Sequence, residues 1–356
     1  MRTNRAIEMK TQHHMGIALT LIASVFVSCV HAASPDIEVE RFKTNPLITG
    51  GTPGVGSNVC GPSVIRVPEW VEKPLGRYYM YFARHMSSSI GDAYIRLAYS
   101  DAPEGPWTVY RPGTLKRTQL RDIERKADGL WYYTQGKIGK PAAQKQHIAS
   151  PDVHVDNENQ QIIMYFHGRY KGHNSGAAIS SDGIHFEDKD VDLGPPYLRM
   201  FTHEGQYYGI SQKGGDGAAL LRRFDGPFGP VGESIPIIPH TIYGETRHLA
   251  VLTHKEQLII FYSRTGSKPE RIQASVLKLS SDWKDWKASE PIEIIAPDHP
   301  FEGSELPLEK SRAGTGRNVR ELRDPCVFVD QGGQIYLYYS IKGESGIAGA
   351  KLSISD

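Results

Sequence analysis

The chain has 356 residues, enough for one large core, and its 41 basic and 40 acidic side chains leave a formal net charge of +1. That balance removes the electrostatic case for a nucleic acid or an anionic membrane as partner. The 36 glycines and 23 prolines fit a turn-rich, all-β chain.

The first segment carries Arg2, Arg5 and Lys10, an apolar run over about 16–30, and Val-His-Ala before Ala33. It reads as a secretory signal peptide, 1–32, cleaved after Ala32, with a single domain at 33–356. The run is short for a spanning helix, so no membrane span is expected and the protein is placed in a secreted or periplasmic setting. Cys29 offers a lipoprotein alternative, although the residue three before it is Phe26 rather than the usual leucine. Without the leader, Cys60 and Cys326 remain. In an oxidising compartment they are either two buried thiols or a long-range bridge worth roughly 4–5 kcal/mol in the chain-entropy model.

Five segments share one form: 61–85, 150–169, 198–215, 247–266 and 324–343. Each is an apolar strand, a polar turn and a second strand of the type YYMYF, IIMYF or LIIFY, which predicts a β-hairpin. Third strands follow at 95–107, 176–186, 218–228 and 275–286, and three end in Ser-Asp before an aromatic residue. The aspartate suits a turn that it caps, and the ring suits packing between units. Five such meanders predict a five-bladed β-propeller, closed by the N-terminal strand near IEVERFKTNPLI. A two-sheet sandwich is the alternative, but it does not require hairpins that repeat in this detail.

In a propeller the first strand of each blade lines the axis. The stretch SPDVHVD puts Ser150, Asp152 and His154 on one side and Val153 and Val155 on the other. Lining up the blades gathers Asn58, Ser63, Asp152, His154, Arg199, Glu245, Arg247, His248, Arg323 and Asp324 from first strands, and His85, His167, Arg264 and Glu344 from second-strand ends. Each has a plain structural alternative: an aspartate beside proline caps turns, strand-end histidines pack, and Arg323 with Asp324 can be a structural pair. The loop 298–322 places Glu302 and Glu305 within reach of the pocket. The stretch 115–146 offers Trp131, Tyr132 and Tyr133 as a stacking platform. No zinc-type ligand spacing is present; His167 and His173 come nearest to a metal pair.

The runs VCGPSVIRV, YYMYFARH and YSDAPEGPW, then SPDVHVD with IIMYFHGR, then RDPCVFVDQGGQIYLYYS resemble the five-bladed glycoside hydrolases of the arabinanase, xylosidase and invertase superfamily, families 43, 32 and 117. The resemblance spans about residue 45 to the end. It implies an oligosaccharide or polysaccharide substrate, no cofactor beyond a structural calcium that some relatives hold on the axis, and two carboxyl groups, one to protonate the leaving oxygen and one to activate water or attack. Carry-over is partial: the aspartate that family 43 places before proline in blade 1 is Gly61 here, and YLRMF stands where the third-blade aspartate is expected. Glu245 in GETRHL matches the acid, and Arg323-Asp324-Pro325 resembles an invertase run. The resemblance thus implies Asp152 or Asp324 as base and Glu245 as acid, with Glu305 and Glu344 as alternatives for the acid. Asn58, His85, His154, His167, Arg247, His248, Arg323 and Glu344 are left to bind sugar, and pocket arginines would suit a uronic or sulfated one. Histidine chemistry as in family 117, a polysaccharide lyase and a non-catalytic sugar-binding propeller are the other readings. The chain is expected to be a monomer.

Overall fold

The computed structural model of the protein describes residues 35–84, 93–134, 147–169, 174–212, 218–238, 245–314 and 316–355. The leader, Cys29, His85 and His173 lie outside these residues. Five antiparallel sheets form the blades. Blade 1 is Cys60–Arg66, Tyr78–Ala83, Arg96–Ser100 and Thr108–Tyr110; blade 2 is Ala149–Asp156, Gln161–Arg169, Asn174–Ser180 and Glu187–Asp188; blade 3 is Arg199–His203, Gln206–Gln212, Ala219–Phe224 and Val231–Ile238. Blade 4 is Glu245–His254, Gln257–Thr265, Ile272–Lys278 and Ile292–Ile295. Blade 5 combines Arg323–Val329, Ile335–Ile341 and Gly346–Ser355 with the N-terminal strand Asp36–Arg41. The register Asp36↔Ser355 to Arg41↔Ala350 closes the ring, and Ile48–Thr49 adds a short second pairing to the same last strand.

The second strand of each blade is sandwiched between neighbouring sheets, which explains why these strands read as continuous apolar runs rather than alternating ones. All six residues of YYMYFA and all seven of IYLYYSI are buried. Five apolar clusters lie one between each pair of adjacent blades: Tyr79, Tyr81 and Phe166 between blades 1 and 2, Tyr165 and Met200 between 2 and 3, Ile210 and Tyr262 between 3 and 4, Phe261 and Tyr339 between 4 and 5, and Phe82 and Tyr338 between 5 and 1. Each large side chain so buried contributes about 1.5–3 kcal/mol.

The Ser-Asp turns work in two of three blades as expected. Asp182 accepts the amides of Ile184 and His185, both at 2.8 Å, and Phe186 packs edge-on to Tyr81 at 5.8 Å. Asp282 accepts the Lys284 amide at 2.9 Å, and the Trp286 ring is buried. In blade 1, Asp101 instead accepts the amide of Arg77 across the hairpin.

Two expectations for the long loops change. Glu302 does not reach over a pocket: it is fully buried, takes two bonds from Arg41 (2.8 and 3.0 Å) and one from the Tyr339 hydroxyl (2.8 Å), and so ties the closing strand to blade 5. Trp131–Tyr133 pairs with Ile123–Arg125 as a two-stranded ribbon, in which Trp131 and Tyr133 pack on Ile123. Glu305 is exposed. Cys60 and Cys326 are both buried free thiols with no bridge between them, and burial pushes the Cys326 thiol up to about 12.

Candidate functional site

Four of the five inner strands start with the same irregularity. Pairing with the second strand slips between Cys60 and Ser63, opposite Ala149 and Asp152, between Arg247 and Ala250, and between Arg323 and Cys326. At each slip one residue has positive φ: Gly61 at 64°, Ser150 at 51°, His248 at 53° and Asp324 at 47°. Blade 3 has its counterpart two positions before Arg199, where Tyr197 sits at φ 60°. Four non-glycine residues in this left-handed region store about 1 kcal/mol or more each, a cost that marks sites where side-chain direction matters.

Three of these ring residues come together. The Tyr197 ring centre lies 5.1 Å from that of His248 and 4.8 Å from that of His167. His248 Nε2 is 3.4 Å from Asp324 Oδ1, and the Ser340 hydroxyl donates to Asp324 Oδ2 at 2.9 Å. On the far side, His167 Nε2 lies 3.0 Å from His147 Nε2, a contact in which one imidazole must donate. Blades 2 to 5 and the segment before blade 2 thus supply a line of neighbouring titratable groups, joined by ring contacts at Tyr197 and by polar contacts at its two ends. Asp324 and His248 are deeply buried, whereas Tyr197 and His147 keep partial exposure.

Around this line the charges pair with one another. Arg247 donates Nε and Nη2 to Glu270 at 2.9 and 2.5 Å, and Ser263 adds a third bond to Glu270 at 2.7 Å. Burial alone would lower the Arg247 pKa, but the Glu270 charge and its bonds raise it above the usual value. Arg323 binds Glu321 through both Nε and Nη2 and reaches Glu344 at 3.2 Å; Glu344 in turn accepts from the Asn58 amide at 2.7 Å. Burial, opposed by Arg323, leaves the Glu321 carboxyl above its ordinary value. The sequence-predicted sugar-binding residues Asn58, Arg247, Arg323 and Glu344 are therefore joined in one buried network, closed by the 3.5 Å approach of Arg323 Nε to Glu270 Oε2. Glu245 lies at the start of the blade 4 inner strand, partly exposed, and accepts from Gln212 Nε2 at 3.1 Å.

Asp152 and His154 sit elsewhere. One layer along the axis are Ser63, Asp152, Arg199, Ala250 and Cys326, of which Ser63, Asp152 and Arg199 stitch blades together. The Val153 amide donates to Ser63 Oγ at 2.9 Å, the Met200 amide to Asp152 Oδ2 at 2.9 Å, and Arg199 Nε to the Leu249 carbonyl at 2.6 Å. Asp152 Oδ2 also takes His154 Nε2 at 2.8 Å. That engagement gives Asp152 an inter-blade structural role and separates it from Asp324. The calcium implied by the resemblance does not fit this layer: Asp152 is its single carboxylate, and the Arg199 guanidinium already occupies the carbonyls of Ser150 and Leu249. No group of three or more metal-ligating side chains occurs among the described residues.

Tyr197, His147, Glu270 and Glu321 were not singled out from the sequence. Tyr197 carried a usable signal, since it occupies in YLRMF the slot filled by Gly61, Ser150, His248 and Asp324 in the other blades. Glu270 and Glu321 meet through a parallel bridge between connecting segments, which no periodicity announces.

No known family profile matches the sequence. Over 362 aligned residues the chain is 33% identical to an uncharacterized protein, R118, of Acanthamoeba polyphaga mimivirus, covering 94% of this chain and 96% of that one. The chain belongs to the same family as R118. Its fold is shared with a thermostable family-43 glycoside hydrolase (TM-score 0.52, 15% identity, 86% of this chain and 91% of that one). It is also shared with the GH43_1 enzyme of Xanthomonas citri complexed with xylotriose (0.51, 14%, 84% and 87%). An N-acetylgalactosamine deacetylase from F. plautii, in complex with blood group B trisaccharide, matches equally well (0.52, 10%, 89% and 95%). The propeller expected from the repeats is thus the family-43 architecture, found at low identity in enzymes of more than one chemistry.

Proposed function

We propose that the protein is an exported glycoside hydrolase acting on a plant or algal oligosaccharide. The observation that carries this reading is the Asp324 carboxylate, held at a strained φ of 47° on the axial ring, hydrogen-bonded by Ser340 and 3.4 Å from His248 Nε2. Strain retained at a buried acid–base pair is characteristic of pre-organised sites. Asp324 with His248 takes the proton from the attacking water, and Glu245, partly exposed at the rim, protonates the leaving oxygen. Tyr197 and His167 orient the sugar.

The test is release of reducing ends from plant and algal oligosaccharides by protein recovered from the export pathway, whose sequenced amino terminus should be Ala33. Asp324→Asn should lower kcat by about 10²–10⁴-fold with the fold retained. Undiminished turnover in that variant would sink the assignment. A lyase is the second reading, favoured by the partly exposed Tyr197 between two imidazoles, an arrangement suited to abstracting a proton beside a uronate carboxylate. Unsaturated, ultraviolet-absorbing products in place of new reducing ends would select it.

A further inference from the structure

The axis has a second mouth. A cavity of about 930 Å³ is bounded by the inner strands from the layer of Ser63, Asp152 and Arg199 onward to their far ends, and none of Gly61, Ser150, Tyr197, His248 or Asp324 lines it. Its volume is in the range of small-molecule sites, ~300–1,000 Å³.

Arg199 lies on its floor, only 4% exposed. Nε and Nη1 are spent on backbone carbonyls of Leu249, Ser150 and Leu198. Nη2 has no hydrogen-bond partner, and no carboxylate lies within ion-pair distance of the guanidinium, among the described residues. The Asp152 charge is felt by the guanidinium but no carboxylate is bonded to it, and an incoming carboxylate would engage the open Nη2 through charge-assisted bonds. Two more donors face the same floor. Ser63 Oγ accepts the Val153 amide, which leaves its own proton to donate, and His154 stands beside Asp152 with 40% of its side chain exposed. The wall adds the Trp70 indole, bonded to Asn157 Oδ1 at 3.1 Å, a pairing of a flat apolar face with a polar group that suits a sugar ring better than an aliphatic acid.

We propose that this second mouth binds a carboxylate-bearing monosaccharide, its carboxylate on Arg199 Nη2 and its hydroxyls on polar groups of the wall that include Asn157. No residue of the Asp324 cluster takes part, so the site stands or falls independently of the catalytic reading.

Calorimetric titration of wild type with D-glucuronate, D-glucose and acetate tests it. Glucuronate should bind at least about tenfold more tightly than either control, the difference expected for a charge-assisted pair together with sugar contacts. Asp324→Asn should leave that affinity unchanged, and Arg199→Met should abolish the preference for glucuronate over glucose. Because Arg199 also links blades 2, 3 and 4, a second variant, Val251→Trp, fills the cavity while keeping the arginine and should weaken glucuronate at least tenfold. Equal binding of glucose, equal binding of acetate, no binding, or affinity lost in Asp324→Asn but kept in Val251→Trp would each overturn the proposal.

Discussion

The two mouths of the axis use buried arginine in opposite ways. At the strand-start mouth Arg247 and Arg323 are neutralised from within by Glu270, Glu321 and Glu344, and beside them lie imidazole, phenol and the Asp324 carboxylate. At the far mouth Arg199 is held by carbonyl oxygens alone. Residue type therefore does not tell which arginine recognises an anion. The decisive fact is whether the fold has already bonded the guanidinium to a carboxylate, because a bonded buried pair is closed to a ligand while a guanidinium with an open N–H is not.

Removing one member of the paired set should have the largest effect on stability. Glu270→Gln strips Arg247 of its bidentate partner inside the protein, and breaking such a pair costs about 3–5 kcal/mol. Urea unfolding should show that loss as a lower midpoint with unchanged slope. Glu69→Gln, at an exposed position of the far mouth, should stay within about 0.5 kcal/mol. Similar losses in the two variants would erase the distinction drawn between the mouths.

A smaller effect is expected in the ring itself. Gly61 has φ 64°, and a Cβ there would lie 3.4 Å from the Ser150 Cα, an ordinary contact. Space is thus available and the cost is conformational: Gly61→Ala should destabilise by about 1 kcal/mol, the penalty for a side chain in the left-handed region. A loss of several kcal/mol would mean that blade 1 packs against blade 2 more tightly than this geometry allows.

Blade count and closure were legible in the sequence because each repeat carries its own evidence: a hairpin with a fully apolar second strand, and a terminal strand left over to complete blade 5. The ring was legible in part. Asp324 and His248 were found because they lie beside strand starts in recognisable runs, and Asp152 was grouped with them because period-two alternation cannot distinguish one axial layer from the next. The bulge that sets the ring residue two positions before the stitching residue is a backbone event with no composition of its own; only glycine, at position 61, advertises it. The arginines misled for the reason given above, since their partners Glu270 and Glu321 come from connecting segments that no strand pattern reaches.

The smallest effect separates the mouths by pH. Burial alone would raise Asp152, but the His154 charge and hydrogen bond, the Arg199 charge and the Met200 amide together hold it below the usual carboxylate value. Burial would lower His154, and the Asp152 charge and bond outweigh that and raise it. The Asp152 contribution is therefore present above its unfolded value of about 3.9 and fades as pH falls through the lower folded value; the His154 contribution is present below about 6.5 and fades as pH rises through the higher folded value. Stability from the pair should be flat between about pH 4 and 6.5 and decline on either side. With 40% of the His154 side chain open to the cavity, solvent screens the interaction, and the total should stay below about 1 kcal/mol. Urea unfolding of wild type and His154→Gln at a series of pH values reads it directly: the gap between them should be widest in that plateau and narrow above it. A gap that does not change with pH would show that the far-mouth pair is not titrating in this range.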